Sequence, residues 1–310
     1  MIRTALVALV LAAFLNAWPF RSSAGQPATE GKESSDANKQ RLVLDDMEDV
    51  SDWSSGTPVE STVTRSDQHV HQGRYSLLFA NRIDQTKGET NYPVGWPRVR
   101  KDMAKAGRSD WSGYDFFECW IYADSSRASL PSSPLSIGFY HRGKKRSTQV
   151  PLGQVQLGQW TKIVIPIAKI AEPGDVQAVQ WSISESEYRH GDRVDFYIDD
   201  MLLTRIVDPT ITEFAVGRRI LYSSDRHLAG FYRVMGSQGL DRVTVEFEIG
   251  RNDTVAARTS APISPRGEIT LAVPERLTPG EYWARLSLRG GEGKLIDRSE
   301  AAFRVIEGPF

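Results

Sequence analysis

The sequence predicts an all-β chain built as two β-sandwiches, and three observations carry that prediction. From Arg41 onward, short runs alternate apolar with polar residues and are rich in β-branched and aromatic types. Gly, Pro, Asn and Asp break these runs at short intervals. No long stretch carries the apolar spacing of an amphipathic helix.

The elements follow in chain order. Arg3, then the apolar run Ala5 to Leu15, then Ser22-Ser23-Ala24 have the layout of a secretory signal over 1–24. The run is shorter than the roughly 20 residues that span a bilayer. The expectation is therefore a secreted or periplasmic protein with no transmembrane segment after signal removal. Residues 25–40 are polar and small, and read as a disordered lead. Strand patterns then include Phe116 to Tyr122, Leu135 to Phe139, Lys162 to Ile165 and Val194 to Ile198. A short helix is expected around Val99 to Lys105, stopped by Gly107. Val207-Asp208-Pro209 interrupts the pattern, dividing the chain into 41–206 and 210–310. The second part has the length and strand spacing of an immunoglobulin-like sandwich. Within it, Leu277-Thr278-Pro279-Gly280-Glu281-Tyr282 reads as a turn feeding a strand that opens on a tyrosine.

Charge is nearly balanced, with 38 Lys and Arg against 39 Asp and Glu. That argues against nucleic acid as a partner. The single cysteine, Cys119, permits no internal disulfide, and it reads as a buried small hydrophobe. No G-x-S-x-G, H-E-x-x-H or phosphate-binding glycine loop is present, so no catalytic residue is assigned.

Five landmarks in order give residues 41–206 a family likeness. They are Leu42 to Asp49 followed by Trp53; His71 to Phe79; Asp110 to Asp115; Gly158 to Ile167; and Phe196 to Leu203. Together they resemble the jelly-roll, galactose-binding-like carbohydrate-binding modules. The resemblance implies a glycan partner and a structural calcium ion held by Glu48 and Asp199, with backbone oxygens near Gln72 and Gly73 completing the shell. Asp45, Asp46 and Asp200 are secondary candidates for that shell.

Period-2 alternation puts Phe117, Cys119 and Ile121 on one face and Glu118, Trp120 and Tyr122 on the other. The same rule opposes Ile137, Phe139 and His141 to Gly138, Tyr140 and Arg142. Rings beside polar groups suit a sugar, since rings cover its C–H faces and polar groups meet its hydroxyls. The loop Asn91 to Arg98 presents Tyr92, Trp96 and Arg98 between two prolines. The expected ligand-binding set is Tyr92, Trp96, Arg98, Glu118, Trp120, Tyr122, Tyr140 and Arg142. The equally open structural reading is that these rings cover a second core layer or meet the C-terminal domain. His69, His71 and Asp67 share a strand face and could hold a transition metal. The basic run Arg142 to Arg146 reads as a solvated hairpin tip or a contact for an anionic polysaccharide.

Three functions remain open on the sequence. The first is a non-catalytic carbohydrate-binding protein. The second is a structural or adaptor protein of the cell envelope that binds another protein. The third is an unrecognised polysaccharide-active enzyme.

Overall fold

A computed structural model describes residues 38–56, 60–86, 95–142, 147–275 and 277–308. The expected signal peptide, the lead up to residue 37, Tyr92 with residues 91–94, and residues 143–146 of the basic run lie outside the described residues. Among the described residues, no helix is long and apolar enough to cross a membrane.

Alternation is realised as strands nearly throughout, and the protein is an all-β sandwich fold. The strands of the first half are β1 (Lys39–Asp45), β2 (Trp53–Ser55), β3 (Ser61–Ser66), β4 (Ser76–Arg82), β5 (Arg98–Asp102), β6 (Phe116–Ser125), β7 (Ser136–His141), β8 (Thr148–Pro151), β9 (Trp160–Pro166), β10 (Val176–Ser182) and β11 (Arg193–Ile206). One sheet runs β3-β4-β11-β6-β9 with β1 alongside β11, and the other runs β2-β5-β10-β7-β8. Their inner faces meet in one apolar core. There Phe117 stacks on Trp111 at 5.7 Å and meets the edge of Phe139 at 5.4 Å. Cys119 is buried beside them, and burial pushes its thiol well above the usual range, with the Glu118 charge adding to the effect. A thiol in that state is an inert packing group.

The helix expected around Val99 to Lys105 is not formed: Arg98–Asp102 is a strand inside the five-stranded sheet, paired to both β2 and β10. The alternation was hidden because Lys101 points inward. It is buried and pairs with the buried carboxylate of Asp45 at 2.6 Å. Gly107, at φ +66°, still closes the turn that follows.

β11 changes partner along its length. Its first half pairs with β4 and its second half with β1, and the register against β6 slips between Asp199 and Leu202. Asp200 sits at the slip with φ +51°. An irregularity of this kind re-aims side chains, and here it turns the Asp199 and Asp200 carboxylates toward the loop that joins β3 to β4.

The remaining strands are β12 (Thr210–Val216), β13 (Ile220–Tyr222), β14 (His227–Met235), β15 (Thr244–Arg251), β16 (Thr254–Pro262), β17 (Arg266–Ala272), β18 (Gly280–Arg289) and β19 (Leu295–Ile306). They form a sheet β12-β14-β17 and a sheet β13-β19-β18-β15-β16 around a second, separate core. The Tyr282 hydroxyl reaches back and donates to the Thr278 carbonyl at 3.0 Å, tying the turn to the strand it feeds.

Candidate functional site

The outer face of the five-stranded sheet carries the most suggestive array. β5 exposes Arg98, Arg100 and Asp102, because Val99 and Lys101 face the core. Register places Gln180 of β10 between Arg100 of β5 and Gly138 of β7. Gln149 of β8 lies opposite Gly138. Gly138 matters here, since a methyl group at that position would collide with the Gln149 amide, which lies across it. Gln180 Nε2 donates to the Tyr140 hydroxyl at 2.9 Å, and Gln149 Nε2 approaches the same oxygen at 3.4 Å. The Arg100 guanidinium lies 4.7 Å from the Tyr140 ring centroid. Two amides, a guanidinium and a phenol thus occupy neighbouring positions on one exposed sheet face. Trp96 stands just before β5 with half its surface in solvent, and its carbonyl accepts from Arg98 at 3.2 Å. Arg142, exposed just past β7, continues the Gly138–Tyr140 row.

Arg100, Gln149 and Gln180 were not among the residues picked out from the sequence. The readable signal was the alternation of Val176 to Ser182, which puts glutamine between buried Val179 and Trp181. Reading 99–105 as a helix removed the neighbouring strand and with it Arg100.

The expected binding surface is split by the sandwich. β6 and β7 belong to opposite sheets and meet through their apolar faces, so their polar faces point away from each other. Glu118, Trp120 and Tyr122 therefore cannot act with Tyr140 and Arg142 on a single ligand. Trp120 and Tyr122 are half-buried. The loop between β3 and β4 lays His71 on Trp120 at 4.1 Å and His69 on Tyr122 at 4.0 Å, both rings nearly parallel to their partners. One face of each ring is thus occupied by an imidazole, as one face of Tyr140 is by the Arg100 guanidinium. His71 Nδ1 is engaged with Asp200 at 2.8 Å, so the pair of histidines serves as a cover for the sheet.

Glu118 lies farther along the same face, in a cleft of about 410 Å³ between the two sandwiches. It is nearly buried, and it accepts from Thr204 at 2.8 Å and pairs with Lys162 at 3.1 Å and Lys39 at 3.3 Å. Burial raises its carboxyl, but Thr204 and the two lysines outweigh burial and hold it below the usual carboxylate range. Glu118 is thus an ion-paired structural group bordering the cleft and does not belong to the array around Tyr140.

Glu48 and Asp199 do come together, on the turn at 71–75. Glu48 Oε1 accepts from the backbone N–H of Arg74 at 2.6 Å and Tyr75 at 3.2 Å. Asp199 Oδ2 accepts from the N–H of His71 at 2.9 Å and Gln72 at 3.2 Å. Asp199 is fully buried, and burial pushes its carboxyl up to about 6; the N–H donors of Gln72 and His71 pull it down, and the Asp200 charge pushes it up further. Its partners are neutral backbone groups, so a hard cation suits the donor chemistry. Among the described residues, no three His, Cys, Asp or Glu side chains form a cage, so carbonyl oxygens would have to supply part of any shell. Asp45 is not available for it, being held by Lys101, by the Trp53 indole at 2.9 Å and by the Met47 N–H at 2.9 Å.

No family model matches the chain, and no curated protein matches it. Solved structures give distant likenesses. The glycoside hydrolase domain of Endo-D from Streptococcus pneumoniae R6 is 11% identical with TM-score 0.31, covering 81% of this chain and 37% of that one. The CBM22-1–GH10 modules of Clostridium thermocellum xylanase 10B, complexed with xylohexaose, are 16% identical with TM-score 0.32, covering 50% and 26%. The Parabacteroides merdae β-glucuronidase is 9% identical with TM-score 0.28, covering 72% and 28%. The chain spans well under half the length of each of these three proteins. At such scores the likeness carries no weight, and function rests on the geometry of the sheet face.

Proposed function

We propose that this is a secreted, non-catalytic glycan-binding protein that holds a saccharide against the outer face of the five-stranded sheet. In this reading the first sandwich is a jelly-roll domain of the galactose-binding-like kind and the second is immunoglobulin-like. The observation that carries it is the array of Tyr140, Arg100, Gln149 and Gln180 on one exposed face. Planar amides and a guanidinium match the paired hydroxyls of a sugar ring, and half-exposed Trp96 at the end of the face offers an aromatic surface for its C–H groups. Trp96 and Arg98 border the face and extend it at one end. Strand-borne side chains hold their geometry better than loop-borne ones, which suits recognition of a rigid ring.

Calcium belongs to the same reading as a structural ion. Glu48 and Asp199 would hold it together with backbone oxygens of the 71–75 turn. Its effect would be to neutralise a buried carboxylate and pin that turn.

The test is a glycan array probed with residues 26–310, with and without chelator. Selective binding to one glycan class, lost in Tyr140→Ala and in Arg100→Ala but kept in Trp120→Ala, supports the site. A blank array from folded protein sinks the glycan reading and directs the search to a protein partner in the cell envelope.

A further inference from the structure

On the candidate glycan face, the exposed Arg100 guanidinium lies over the Tyr140 ring, 4.7 Å from its centroid. Stacking engages the flat surface of a guanidinium and leaves its N–H donors in the plane for an acceptor. Among the described residues nothing takes those donors: the side chain makes no hydrogen bond and no ion pair. Its neighbours across the sheet are neutral, Ser54 of β2 on one side and Gln180 of β10 on the other. Asp102 is exposed two residues along the same strand face, and its Oδ1 accepts from the Lys105 N–H at 3.0 Å. The ring under Arg100 is itself held, since Gln180 Nε2 donates to the Tyr140 hydroxyl at 2.9 Å. Arg142 adds a second cation past the end of β7. Asp175, the carboxylate at that end, accepts from the Arg142 backbone N–H and from the Gln177 amide. Among the described residues, the Arg142 guanidinium has no partner.

We propose that the saccharide recognised on this face is acidic, and that Arg100 takes the carboxylate of a uronic acid residue. The proposal rests on the glycan reading of the face and narrows it to one class of sugar. A carboxylate offers two coplanar oxygens that match the guanidinium fork, a geometry an ammonium group does not provide. Ser54 and Gln180 flank that fork and are placed for the hydroxyls beside the carboxylate. Because Tyr140 already sets the orientation of the guanidinium, little side-chain freedom is lost on binding. The Arg142 charge adds attraction for a chain that carries further uronates.

The test is calorimetric titration of the full chain with galacturonate, mannuronate and glucuronate oligosaccharides. Each is compared with its carboxyl-reduced, neutral counterpart and with a sulfated neutral oligosaccharide. The expected result is that at least one uronate binds about tenfold or more tightly than its neutral counterpart. Arg100→Gln, with its fold checked by melting temperature, loses that preference. Arg100→Lys keeps the charge without the fork and restores only part of it; if Arg100→Gln does not fold, the several-fold loss expected in Arg100→Lys is read instead. A neutral oligosaccharide bound as tightly as its uronate overturns this proposal and leaves the glycan reading standing. A preference that survives in Arg100→Gln, or binding of the sulfated probe alone, overturns it in the same way. Folded protein that binds no saccharide, here or on the array, sinks both readings together.

Discussion

Replacing Lys101 by methionine tests the buried ion pair that shapes the first sandwich. Lys101 and Asp45 lie 2.6 Å apart, with side chains 9% and 4% exposed. Asp45 Oδ2 also accepts from the Trp53 indole, and Oδ1 from the Met47 N–H. Lys101→Met keeps the stem packing but leaves the nearly buried Asp45 with only two neutral donors. Breaking one side of a buried pair costs about 3–5 kcal/mol. The two remaining donors recover part of that, so about 3 kcal/mol is expected. A double variant, Asp45→Asn with Lys101→Met, removes both charges and should recover at least about 1 kcal/mol of the loss. The assay is reversible urea unfolding of the four proteins of this cycle at pH 7. A cost for Lys101→Met below about 1 kcal/mol, or an additive double variant, would falsify the view that this pair is desolvated and coupled.

Three further outcomes are expected. Gly73→Ala places a methyl group against the Glu48 carboxylate at a residue with φ +76°, so it should destabilise by at least about 1–2 kcal/mol in thermal unfolding; an unchanged melting temperature would mean that Glu48 does not clasp the 71–75 turn. In chelator, the Asp199 carboxyl, raised to about 6 from 3.8, binds its proton more tightly folded than unfolded. Stability from this group therefore increases as pH falls from 7 to about 4, by about 3 kcal/mol in all; Asp199→Asn should flatten the profile, and a wild-type profile already flat there refutes the assignment. Glu118 acts in the opposite sense. Its carboxyl is held low by Thr204, Lys162 and Lys39 against burial, so its contribution is present above about 4.5 and is lost as pH falls below it. Glu118→Gln should remove that acid-side loss, and an unaltered acid limb would show that the cluster contributes nothing.

Local alternation was enough to make the all-β character legible, and with it the inward set Phe117, Cys119, Ile121, Ile137 and Phe139. The reason is that side chains on a strand alternate between faces whatever the strand pairs with. Glu48 and Asp199 were singled out by a resemblance; in the structure each accepts backbone N–H groups of the 71–75 turn. Pairing between distant strands settled the rest. It put β6 and β7 in opposite sheets, so the rings expected on one surface face opposite directions. It let Lys101 enter the core opposite Asp45, which masked β5 and Arg100. It also stacked His69 on Tyr122 and His71 on Trp120, occupying one face of each ring. Each of these depends on contacts between residues far apart in the chain, which a period read along one strand does not encode.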